Sequence, residues 1–186
     1  PYLQGVAVGG TSVVNGAICW RFPREVHAAW VADDPALADA LPWDALTAAE
    51  AALETRLSVH DTEPAIAGQK NLLMARGAAA LGLAHRPIRR NVSGCQGAGR
   101  CLQGCPHGAK LSMDRTLLPD AVADGAHIMA GVRAERVLID ARGAYGVVAR
   151  ARGGGAVEVR ARRAVVLAAS AIQTPLLLRA SGLHQG

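Results

Sequence analysis

Arg162-Arg163-Ala164-Val165-Val166-Leu167-Ala168-Ala169-Ser170-Ala171-Ile172-Gln173-Thr174-Pro175-Leu176-Leu177-Leu178 is the stretch that decides the fold. Two cations give way to an unbroken apolar run, the pattern of a strand entering a buried sheet. The spacing predicts a strand over residues 157–169. A helix is expected over 174–180, with Pro175 in its first turn and Gly182 near its end. A helix N-terminus placed at the carboxyl end of a buried strand is where open α/β sheets bind ligands. A well-capped core helix accounts for the same residues. The expected fold class is α/β.

Outward from that stretch, two more strands are expected at 127–139 and 144–152, with a turn at Gly153-Gly154-Gly155. Upstream, residues 35–57 read as a helix, with Pro42 suiting a first turn and Leu46, Ala49, Leu53 and Leu57 on one face. Another helix fits 69–81, weakened by Gly77. Residues 114–123 read as a short helix interrupted by Pro119, and 86–93 as extended and basic. The 24–110 region is expected to pack as helices plus a Cys-rich loop.

The 186 residues are 51% hydrophobic but only 3% aromatic. That is enough chain for a core, but one so poor in large rings must pack closely or lean on a cofactor or another segment. No run of 18 apolar residues exists, which excludes a spanning helix from this segment. Charge is uneven: residues 1–65 carry three Arg against nine carboxylates, and 66–186 carry seventeen Lys and Arg against six. Aromatic stacking residues are nearly absent from the basic part, so nucleic acid is not an expected partner. Eighteen of the twenty cations are Arg. Both ends read as cut from a longer chain, which leaves localisation unassigned.

Three segments carry chemistry. Gly9-Gly10-Thr11-Ser12-Val13-Val14-Asn15-Gly16 can present backbone N–H groups and hydroxyls to an anion, and is also plain loop composition. The strand–helix junction at Ser170 is the second. In the third, Cys95, Cys101 and Cys105 fall within eleven residues spaced by Gly. Three thiols so placed fit an iron–sulfur centre, whose pattern includes a C-x₃-C-P run. They also fit zinc, with His107 or Cys19 as a fourth ligand, a disulfide with one spare thiol, or three reduced structural cysteines. His60, His85, His107, His127 and His184 are individually uninformative. Trp20, Trp30 and Trp43 read as packing residues.

Taken in order, Gly-Gly-Thr-Ser-x-x-Asn, then Cys-x₃-Cys-Pro-x-Gly-Ala-Lys-x-Ser with Thr-Leu-Leu-Pro, then Ala-Ile-Gln-Thr-Pro-x-Leu-Leu with Ser-Gly-Leu, the chain resembles the glucose–methanol–choline (GMC) oxidoreductases. The resemblance runs through nearly all of it. It implies part of a three-layer, Rossmann-like FAD-binding domain, incomplete at both ends, making residues 1–186 an internal fragment. It implies a flavoprotein that oxidises a small-molecule alcohol by hydride transfer to FAD, with the fragment alone inactive. Gly10, Thr11, Asn15, Gly16, Ala17 and Ile18 match the stretch lying along FAD. Ala134 matches a position, usually Val, that meets adenine through its main chain. Cys95, Cys101 and Cys105 resemble the cysteines of bacterial FAD-dependent glucose dehydrogenases, where three thiolates hold a 3Fe–4S cluster. A protein electron acceptor is then a further candidate partner.

The chain departs from the family pattern at several positions. Val6 stands where Arg or Lys is frequent, Ser170 where Gly is usual, and His184 where the last signature ends in Gly. No G-x-G-x-x-G occurs anywhere in the 186 residues. The resemblance places the catalytic His beyond Gly186, so no catalytic residue is assigned here. Two rivals stand beside this reading: a small iron–sulfur electron-transfer module, and a non-functional truncation product.

Overall fold

A computed structural model describes residues 4–183, so His184 lies outside the described residues. The chain forms two compact units, one ending at Ala126 and the other beginning at His127. Together they are of mixed helix and strand, the α/β class expected from the sequence. No helix among the described residues is long and apolar enough to cross a membrane.

In the first unit, α1 (Arg24–Asp33), α2 (Leu37–Ala40) and α3 (Trp43–Arg56) precede a short strand β1 (Val59–Asp61). Then come α4 (Pro64–Ala67), α5 (Gln69–Ala80), β2 (Arg89–Asn91) and α6 (Leu117–Ala123). Prolines set several starts: Pro23 and Pro42 flank α1 and α3 as N-caps, and Pro64 opens α4. The helix expected over 35–57 is thus two helices, broken at Leu41-Pro42, because Pro42 lacks the N–H a continuous helix needs. Pro119 sits in the first turn of α6, where a missing N–H costs nothing.

The shielded side of α3 is partly polar, with Leu46 and Leu57 half-buried beside two glutamates. Leu53 is 48% exposed and Ala49 is exposed, whereas Glu50 and Glu54 turn inward. Glu50 Oε1 accepts from Phe22 N at 2.9 Å, and Glu54 accepts from Arg21 and Arg89. The helix is held by carboxylates gripping backbone and guanidinium groups, which hydrophobic periodicity does not register.

Strand β2 is the rail of this unit. It pairs antiparallel with β1 (His60 opposite Arg90) and bridges Ile18, while Cys19 N donates to Arg89 O at 2.9 Å. Just beyond it, Val92 bridges Lys110 and Ser93 N donates to Ala109 O. The Gly-rich N-terminal stretch and the end of the Cys loop are therefore both stitched to one extended segment. Ala17, Val92 and Ala109 are the buried apolar residues here.

The second unit is an antiparallel meander, β3 (Val132–Asp140), β4 (Gly143–Ala151) and β5 (Ala156–Arg160), followed by α7 (Ser170–Ala180). Val137, Leu138 and Ala149 are its buried apolar residues. A Cβ at Gly146 would lie 2.5 Å from Val159 O, so β4 and β5 approach closely because that residue is glycine. Ser181 ties α7 to β3: its Oγ accepts from Val137 N at 2.8 Å and donates to Leu177 O at 2.6 Å.

One expectation is corrected. The strand expected over 157–169 ends at Arg160, and residues 161–169 form no ladder among the described residues. Val166 is 86% exposed. A central strand needs hydrogen-bonding neighbours on both edges, and the meander bonds this run only at Ala161 N, which donates to Tyr145 O at 2.8 Å. The helix also starts earlier than expected, at Ser170 rather than 174, which places Pro175 inside it. Thr174 Oγ1 accepts from Ala169 N at 3.1 Å, and Ser170 Oγ from Gln173 N at 3.2 Å, so hydroxyls satisfy backbone donors at the opening.

Candidate functional site

The stretch from Gly9 to Ile18 opens with a single 3₁₀ turn, Gly10–Val13. Gly9 and Gly10 have φ of +91° and +57°, a region that side chains resist. A Cβ on Gly9 would also press on Asp114, at 3.0 Å. Thr11 Oγ1 accepts from Gly5 N at 3.1 Å. Ser12 Oγ donates to Gly9 O and accepts from Met113 N at 3.0 Å, so that hydroxyl is committed internally. Asn15 Oδ1 accepts from Ala17 N at 2.9 Å, closing a tight turn. Ala17 is fully buried with φ +56°, a left-handed conformation unusual for a residue with a side chain.

Behind this stretch sits Lys110, 2% exposed. Its ammonium donates to Val13 O at 2.5 Å, Asn15 O at 3.0 Å and Cys101 O at 2.9 Å. Three donors meet three carbonyls, which compensates burial of the charge. Burial pushes the Lys110 amine below the ordinary lysine value, with Cys101, Cys105 and Asp114 opposing the shift. Beside it, Arg90 Nη2 donates to Gly16 O at 3.1 Å and to Cys101 Sγ at 2.7 Å. Arg90 Nε is buried without a partner. Asn91, also buried, donates to Leu111 O at 2.9 Å and accepts from the Cys19 thiol.

Sequence reasoning quoted Lys110 only as part of a motif and gave Arg90 no role. No sequence signal separates Lys110 from the chain's other lysine, Lys70, which is exposed on α5.

The front of the stretch is open. Space around Gly10 is empty where a Cβ would point, and Thr11, Asn15 and Ile18 are exposed, Ile18 by 59%. Gly10, Thr11, Asn15, Gly16, Ala17 and Ile18 are thus brought together, five of them on or flanking an accessible face and Ala17 beneath it. A backbone-lined platform fixed from behind and open in front fits an elongated polar cofactor such as FAD. Ala134 lies in the second unit, exposed on β3 beside an irregularity in register between Ala134 and Arg136.

Cys101 and Cys105 meet different partners. Cys101 Sγ faces Arg90, whereas Cys105 faces the backbone N–H groups of Lys110, His107, Ala109 and Gly108. Burial raises the Cys105 thiol and those N–H groups together outweigh it, leaving it below the usual value. Cys19 goes the other way, pushed up by burial. All four cysteines are free, and no group of three or more His, Cys, Asp or Glu among the described residues is placed to hold a metal ion. Neither His107 nor Cys19 completes a zinc site. A cleft of about 450 Å³ opens beside this loop, lined by Cys105, Lys110, Arg100, Arg115 and Asp114 among others.

His60 and His85 contact the carbonyls of Ser58 and Leu83. His27, which sequence reasoning passed over, is buried on Leu41 O at 2.8 Å and edges onto the Trp43 ring.

The chain belongs to the GMC oxidoreductase family, whose model matches residues 2–186. It is 42% identical over 180 residues to an uncharacterized GMC-type oxidoreductase of Mycobacterium tuberculosis, covering 97% of this chain and 28% of that protein. A GMC-type oxidoreductase of Sinorhizobium fredii is 34% identical, with 99% of this chain and 36% of the relative covered. Long-chain-alcohol oxidase FAO3 of Arabidopsis thaliana is 32% identical, with 98% and 26% covered. The chain therefore spans roughly a quarter to a third of the length of these relatives.

Proposed function

We propose that the chain serves, in its full-length parent, as part of the FAD site of an enzyme that oxidises the CH–OH group of a small-molecule alcohol. The observation that carries this reading is the open face of the Gly10–Ile18 stretch: left-handed Gly10 with empty space before it, and Thr11, Asn15 and Ile18 exposed around it. The long-chain-alcohol oxidases of Arabidopsis thaliana among the relatives support an alcohol as the substrate class. When bound, the flavin supplies the acceptor for hydride. This chain's residues hold and orient it: Gly10, Thr11, Asn15, Gly16 and Ile18 line the platform, and Ala17 locks the turn beneath. The base that takes the hydroxyl proton lies elsewhere in the parent.

The test is flavin retention. In the full-length parent, Asn15→Leu replaces an exposed polar group and the acceptor of the Ala17 N–H bond. Flavin content after gel filtration should fall, and turnover with it, by about tenfold if one to two hydrogen bonds are lost. Unchanged flavin occupancy would displace this stretch from the site.

A further inference from the structure

The carbonyls of Val13 and Asn15 converge on the Lys110 ammonium, and that of Gly16 on Arg90. All peptide bonds described are trans, and in a trans peptide the carbonyl and the following N–H point in opposite directions. Drawing Asn15 O inward therefore turns Gly16 N–H away from Lys110. Among the described residues this N–H has no hydrogen-bond partner, whereas its neighbour, Ala17 N–H, is satisfied by Asn15 Oδ1. The ammonium is buried, makes no ion pair among the described residues, and spends every donor on backbone oxygen. A cation placed only for fold stability is served as well by a carboxylate. One that meets three carbonyls from two separated segments sets the direction of the peptides instead.

We propose that Lys110 is a positioning residue: it clamps the carbonyls of Val13 and Asn15 to Cys101 O so that Gly16 N–H is presented outward as a donor to the cofactor. This rests on the reading of Gly10–Ile18 as a cofactor platform and names the residue that shapes it. Arg90 assists by holding Gly16 O. The Cys loop then acts through its backbone, since the Cys101 carbonyl is the third point of the clamp. The chemical group recognised by Gly16 N–H is an acceptor, a ring carbonyl, ring nitrogen or phosphate oxygen of the bound dinucleotide.

The experiment uses the full-length parent, stripped of flavin and reconstituted with FAD. Lys110→Met should weaken FAD binding by about tenfold or more. In the flavin-free protein, amide hydrogen exchange should accelerate in peptides covering residues 13–18 and stay unchanged in those covering 59–61. Lys110→Arg keeps the charge but not the three-point geometry, and should also weaken binding. Where Lys110→Met does not fold, Lys110→Gln, which keeps two donors, should show an intermediate loss with the same local exchange. Asn15→Leu separates the two levels. If Asn15→Leu weakens binding and Lys110→Met or Lys110→Gln does not, the positioning role fails while the platform stands. If Asn15→Leu leaves FAD affinity intact, the platform itself fails. Full affinity in Lys110→Arg overturns the clamp, because charge alone would then suffice. Accelerated exchange throughout the first unit does the same, since it marks a purely structural residue.

Discussion

Ala17 and Cys105 show how single residues set the character of the site. Ala17 has no exposed surface and a φ of +56°, so its backbone carries strain of about 1 kcal/mol that its surroundings enforce. A β-branched side chain there meets both the left-handed conformation and a filled site. Ala17→Val should lower unfolding stability by about 2–4 kcal/mol in a urea titration of the parent; a loss below about 0.5 kcal/mol would show that the turn relaxes freely. Thiol chemistry gives a second expectation. Cys105 lies below and Cys19 above the usual thiol value, so as pH rises Cys105 becomes thiolate first. The thiolate is the nucleophile, so iodoacetamide near neutral pH should label Cys105 ahead of Cys19 by peptide mass spectrometry. Equal labelling, or Cys19 first, would refute the nest around Cys105. Ser170 shows what a sequence can disclose at this scale. It stands where relatives of this type usually carry Gly, and the structure gives it φ +89°. The departure was visible in the letters; the backbone angle that explains it was not.

Among the elements, the regular ones were legible and the polar ones were not. The helix expected over 69–81 appears as α5, and the strands expected around 127–139 and 144–152 appear as β3 and β4, because periodic apolar residues and glycine turns determine them locally. The run over 161–169 was misread because its pattern describes a strand with neighbours, and strand pairing is a property of the partners. Likewise the polar contacts of α3 were not legible. Leu46, Ala49 and Leu53 fit a helical stripe, but Glu54 is the side chain that joins α3 to β2 through Arg89, and to Arg21 at 2.9 Å. The Arg89 and Arg21 guanidiniums bonded to it hold the Glu54 carboxyl down to about 2. A carboxylate with a lowered folded-state value contributes stability that is complete above its ordinary value near 4.5 and is lost as pH falls toward 2. Allowing for solvent screening, the loss should be about 1–2 kcal/mol. Glu54→Gln should therefore flatten the acid limb of the parent's stability profile below pH 4.5 and cost about that much at neutral pH. A parallel acid limb in wild type and variant would remove this ion pair from the account.

For the whole molecule, the decisive quantity is how little apolar surface the 186 residues bury by themselves. Among the described residues the buried apolar side chains are small or few, Ala17, Val92, Ala109, Val137, Leu138 and Ala149, while Val166, Met74, Leu81 and Trp20 are each more than two-thirds exposed. Burial stabilises by roughly 25 cal/mol per Å², so large side chains left in water contribute little against the entropy of ordering the chain. The scarcity of aromatic residues had already pointed this way, toward a core that leans on something else. The cofactor platform is similarly one-sided: it offers backbone and exposed side chains on one face, and the 186 residues contain no G-x-G-x-x-G to grip a pyrophosphate. The chain expressed alone should therefore be marginally stable, with a broad thermal transition, and should emerge from gel filtration without flavin absorbance even after incubation with excess FAD. The full-length parent treated identically should retain it. A yellow 186-residue protein with stoichiometric FAD would mean that the Lys110-backed platform is sufficient for the cofactor, and that the remaining two-thirds or more of such an enzyme adds catalysis and not flavin affinity.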